Sequence, residues 1–118
     1  MPANDKLLLV FKALFVVGES IRLVKLAIDN NPPPDEEMEL RDLLSDLQTL
    51  KDELIALRDA LENDKIEVLT PPPQLMQEVR LLTEHVEQAR LAGAAAGQSI
   101  ALAGQAIDVA LKVMSAAI

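Results

Sequence analysis

The sequence predicts an all-α fold: a three-helix antiparallel hairpin bundle, one domain over residues 1–118, with heptad packing and a long third helix. Three observations predict it. Apolar residues recur at alternating steps of three and four, the 3.5-residue period of helices packed at a shallow angle. Proline triplets at 32–34 and 71–73 cut this ladder into three segments. Half of the residues are apolar, yet Phe11 and Phe15 are the only aromatic ones, so the core must be built of Leu, Val, Ile and Ala. That composition suits helices and argues against a β-sandwich or barrel.

Helix 1 is expected over about 4–29, capped by Asn4 or Asp5. Its seam is Leu7, Val10, Leu14, Val17, Ile21, Val24 and Ile28. Pro32-Pro33-Pro34 ends it, because proline lacks the helical donor and drives the preceding residue out of the α region. Between residues 7 and 17 only Lys12 is polar. Leu8, Leu9, Phe11, Phe15 and Val16 therefore lie beside a seam that already includes Leu14. Two neighbouring helices cannot cover such a girdle, which calls for a further partner.

Helix 2 is expected over about 35–63. Pro34 suits a first helical position, and Asp35, Glu36 and Glu37 suit the positive end of the helix dipole. Its seam is seven leucines: Leu40, Leu43, Leu47, Leu50, Leu54, Leu57 and Leu61. The outside is acidic, with Glu39, Asp42, Asp46, Asp52, Glu53 and Asp59 forming a candidate docking face. Residues 32–70 hold four basic and twelve acidic groups and carry the whole net charge of −8. Lys65 to Thr70 reads as an extended linker.

Helix 3 is expected over about 73–117. The heptad runs from Leu75 through Gly93 and Ala96 to Ala117 without a change of phase, which favours one unbroken helix of ~65 Å at 1.5 Å per residue. Helices 1 and 2 reach only ~40 Å, so either helix 3 breaks at Gly93 or Gly97 or its last third projects, and the unbroken heptad favours the projecting helix. Residues 91–118 contain ten Ala and three Gly and keep only a narrow polar stripe. Gly93 and Gly97 would permit close backbone approach, and Leu102, Val109 and Val113 suggest a second apolar edge.

Catalytic chemistry has little to work with. There is no cysteine, and His85 is the only histidine. Leu82 stands where a Glu-x-x-His metal pair would need its Glu, so His85 reads as a bundle-edge residue. No Walker loop, H-E-x-x-H or dinucleotide fingerprint occurs, and no serine has a base for a triad. Neither an enzyme nor a cofactor is expected. The acidic balance repels nucleic acid. The apolar run 7–17 is interrupted by Lys12 and followed by no small-x-small cleavage site, so a soluble, cytoplasmic chain is expected.

Function is expected to be assembly. The leading reading is a non-enzymatic interaction module, homo-oligomeric or bound to a helical partner, that associates through helix 1 and the C-terminal half of helix 3. One alternative is a membrane-active protein, pore-forming or docked at the membrane periphery, stored as a soluble bundle. The other is a small acidic inhibitor or immunity-type protein that presents helix 2 to a basic partner.

Overall fold

The computed structural model describes residues 2–63, 73–92 and 96–115. Among them the chain is all-helical, with four helices rather than three: α1 (Pro2–Asp29), α2 (Pro34–Glu62), α3 (Pro73–Ala92) and α4 (Ala96–Ser115). The expected linker at Lys65–Thr70 and the expected helix end at residue 117 lie outside the described residues.

α1 begins at Pro2, ahead of the expected cap, as a proline in the first turn permits. It stops where Asn31 takes a left-handed backbone with φ 53°. The Asn30 and Asn31 amides donate to the last-turn carbonyls of Leu26, Ala27 and Ile28, so the helix end is satisfied before the prolines begin. α2 starts with Pro34 in the first turn and Asp35, Glu36 and Glu37 on its positive end. The short connection makes α1 and α2 antiparallel neighbours.

The long third helix is the main correction. Lys112 Nζ on α4 pairs with Glu78 Oε2 on α3 at 3.0 Å. In one unbroken helix these residues would stand ~50 Å apart, so α4 folds back along α3. Heptad phase cannot reveal such a reversal, because two consecutive helices can both turn an apolar stripe inward without a phase change. Length decides instead. A projecting Ala-rich segment would leave its apolar face in water, whereas two helices of 20 residues fit within the span of α1 and α2.

The folded chain measures 46 × 23 × 18 Å, one helix long and two helices across. The N-terminal halves of α1 and α3 lie side by side, with Leu8, Leu9 and Lys12 against Met76, Gln77 and Arg80. The four helices thus run up, down, up, down. α1 and α4 both touch α2 and α3 as well as each other, while α2 and α3 make no contact among the described residues. The cross-section is a rhombus whose short diagonal is the α1–α4 pair.

Small buried side chains recur on both central helices: Ala13, Ser20 and Ala27 every seven residues on α1, and Ser99, Ala103, Ala106 and Ala110 on α4. They permit close approach of the two axes. The larger apolar side chains fill the two flanks. Leu40, Leu47 and Leu54 on α2, Val79 and Val86 on α3, and Val16, Val17 and Val24 on α1 are fully buried. Each contributes about 1.5–3 kcal/mol relative to an exposed position.

Candidate functional site

The fold divides the expected surface residues sharply. Leu9 and Val16 are buried, because α1 is packed on three sides and its apolar stripe is correspondingly wide. Leu14 is half-buried against the same core. Leu102, Val109 and Val113, expected at an interface between chains, lie instead in the chain's own core. The reversal of α4 provides their cover. Gly93 is outside the described residues. Gly97 is exposed, and a Cβ added there would meet nothing within 4 Å, so no backbone among the described residues presses on it.

Several large apolar side chains stay bare, and α1 carries four of them, Leu8, Phe11, Phe15 and Leu26, on one face. Leu8 is 49 % exposed, Phe11 42 % and Phe15 36 %. Steps of three and four place them on a single stripe. The stripe is cationic beyond them, where Arg22 and Lys25 face water. Both aromatic side chains of the protein thus sit at the surface of its most enclosed helix. Lys12 flanks them on the side of α3. There Leu8, Leu9, Lys12, Met76, Gln77 and Arg80 line an open groove of about 470 Å³, with an apolar floor and two cations at its rim. Sequence reasoning missed this groove, because pairing the start of α1 with the start of α3 requires the up-down-up-down topology.

Two further residues on the stripe stand out. Gly18 is half-buried, and a Cβ added there would meet nothing within 4 Å. Glu19 is also half-buried, and its Oε2 is shielded from solvent without a hydrogen-bond partner among the described residues. A carboxylate oxygen in that position has lost water and gained no donor. Ser20 and Ser99 present a milder version, with buried hydroxyls that have no partner among the described residues.

Elsewhere large apolar side chains are exposed at Met38, Met76, Leu81, Leu91 and Leu111, and the rest of the described surface is mainly polar. Glu39, Asp42, Asp46, Asp52, Glu53 and Asp59 all face solvent along α2. That helix bears ten acidic and three basic side chains, and Arg41 and Arg58 are engaged locally by Glu37 and Asp59. On α4 the exposed residues are Gly97, Gln98, Ala101, Gly104, Gln105, Asp108, Leu111, Lys112 and Ser115. Lys112 is held by Glu78 across the helix pair and by Asp108 at 3.2 Å within α4. The hydrogen bond to Glu78, then that to Asp108, raises its pKa above the ordinary 10.5. A second open groove lies between α3 and α4, where exposed His85 and Leu81 stand opposite Ala101 and Gly104. No group of three or more His, Asp and Glu able to hold a metal ion forms among the described residues. No described helix is long and apolar enough to cross a membrane.

No protein-family model, no curated protein and no solved structure matches this chain.

Proposed function

We propose that this chain is a non-enzymatic helical interaction module that self-associates through the exposed stripe of α1. The observation that carries the reading is the exposure of Leu8, Phe11 and Phe15 on one face of the central helix. A phenylalanine contributes most when its ring leaves water. Here the core is completed by Leu, Val and Ala, and both rings stay outside it. A contiguous apolar patch of this kind, edged by charge, is the usual mark of a contact surface. The C-terminal helix adds less to this reading, since Leu102, Val109 and Val113 are buried within the chain and, among its described large apolar side chains, Leu111 alone is exposed.

Sedimentation velocity over a wide range of concentration tests the proposal. The wild type should show a reversible rise in mass, and a Phe11→Asp/Phe15→Asp variant should remain monomeric while keeping its helical spectrum. A wild type that is monomeric throughout, or a variant that associates as the wild type does, would remove the reading. Vesicles of anionic phospholipid form a separate arm. Binding by the wild type as a monomer would assign the same stripe to a bilayer surface.

A further inference from the structure

We propose that the occupant of the α1 stripe is a second copy of the same helix, docked antiparallel across a two-fold axis at Phe15, with Lys12 of each copy paired to Glu19 of the other. The inference rests on the self-association reading and specifies its geometry.

The order of residues along the stripe carries it. Phe11 and Gly18 are seven apart, two helical turns, and share one flank of the stripe. Lys12 and Glu19 are likewise seven apart and share the other flank. Phe15 lies between them, on the midline. A two-fold axis perpendicular to the helices reverses the direction of each column but keeps its flank. Phe11 then meets Gly18 of the second copy, Lys12 meets Glu19, and Phe15 meets its own counterpart. Leu8 falls opposite Arg22, whose aliphatic stem can cover it while the guanidinium reaches water.

Each match answers an observation on the single chain. The open space beside Gly18 receives the Phe11 ring. The half-buried Glu19 carboxylate, whose Oε2 has no partner among the described residues, turns outward to meet an ammonium donor. Exposed Lys12 cannot supply that donor within its own helix, because seven residues separate the two by ~10 Å along the axis. A parallel arrangement does the reverse. It sets Lys12 level with Lys12 and Arg22 level with Arg22, and like charges at one level repel. Charge complementarity therefore selects the antiparallel pair.

The chain has no cysteine, so introduced thiols report geometry without background. Under mild oxidation Phe15→Cys should cross-link to itself. Leu8→Cys should not, but should cross-link when mixed with Arg22→Cys. By sedimentation, Lys12→Glu and Glu19→Lys should each weaken association by about tenfold or more. The double exchange Lys12→Glu/Glu19→Lys should return it to within about threefold of wild type. Thermal melts of all variants confirm that each is folded, and the restored double variant guards against a merely structural effect. Self-cross-linking of Leu8→Cys, failure of Phe15→Cys to cross-link, or a double variant as weak as the singles would overturn the antiparallel seat. If the wild type still associates in those cases, self-association stands and only its geometry falls. If the wild type and every thiol variant stay monomeric, or bind only to anionic vesicles, both fall together.

Discussion

At the scale of single residues, burial separates side chains that sequence alone places on equal terms. Leu47 is fully buried on α2 and Leu91 is 81 % exposed on α3. Leu47→Ala should cost about 2–5 kcal/mol, by lost transfer energy and the cavity left behind, whereas Leu91→Ala should change stability by no more than about 0.5 kcal/mol. Urea titration of both variants checks the contrast, and equal losses would contradict the packing described. Ser99→Ala should go the other way. Its hydroxyl is buried without a partner among the described residues, so removing it discards a desolvated polar group and installs the best helix former. A gain of up to ~1 kcal/mol in the same titration is expected, and a loss would mean that the hydroxyl has a donor role.

The central residues of α2 were legible in advance. Leu40, Leu47 and Leu54 follow directly from the seam because that helix has one wet face and one dry face. On α1 the same logic names the right helix and blurs the right side. With neighbours on three sides, the buried stripe takes in Leu9, Ala13 and Val16 as well as Val10, Val17, Ile21 and Val24 of the seam, and the exposed stripe narrows to residues such as Phe11 and Phe15. Periodicity shows that there are too many apolar positions, but only the placement of α2, α3 and α4 shows which stay bare. Glu19 was invisible as a special residue, since an acid on an amphipathic helix is ordinary until its oxygen is found shielded.

At the scale of elements, the helix ends and the α3–α4 hairpin make separate statements. Asn31 ends α1 with positive φ, a conformation that costs a β-branched residue about 1–2 kcal/mol and costs glycine nothing. Asn31→Val should lower the melting temperature and Asn31→Gly should leave it equal or higher. The hairpin depends in part on Lys112. Its folded pKa is raised, so its contribution is fully present below the ordinary lysine value and is lost as pH rises through the folded value. Urea midpoints should therefore fall as pH rises above the ordinary lysine value of 10.5, and Lys112→Met should flatten part of that fall. An identical alkaline slope in both proteins would show that the pairs with Glu78 and Asp108 do not hold the hairpin. The Asp108–Lys112 pair, four residues apart on one helix, was legible in the sequence and is present, whereas Glu78, 34 residues away on another helix, was not.

At the scale of the whole molecule, the reversal of α4 has a direct signature. The radius of gyration of the described chain is 14.7 Å and its longest extent is 46 Å. X-ray scattering at high dilution should give a maximum dimension near that length plus a hydration shell. A third helix running on unbroken would push it to ~65 Å or beyond. At higher concentration the curve should change only as association sets in.

The rhombic cross-section also bears on how the chain is born. α1 is made first of the four helices and α4 last, yet these two form the centre. A ribosome delivers residues at about 5–20 per second, so the side of α1 reserved for α4 waits for several seconds with nothing to cover it. α2 can dock early, but among the described residues α3 touches α1 and α4 and not α2, so its arrival cannot close the structure. The nascent chain thus carries an uncovered Val- and Ala-rich helix until the final turns of α4 leave the exit tunnel. A ribosome stalled before that point should display a chain that is open to chaperones and readily cut by protease, and release of the last helix should abolish both.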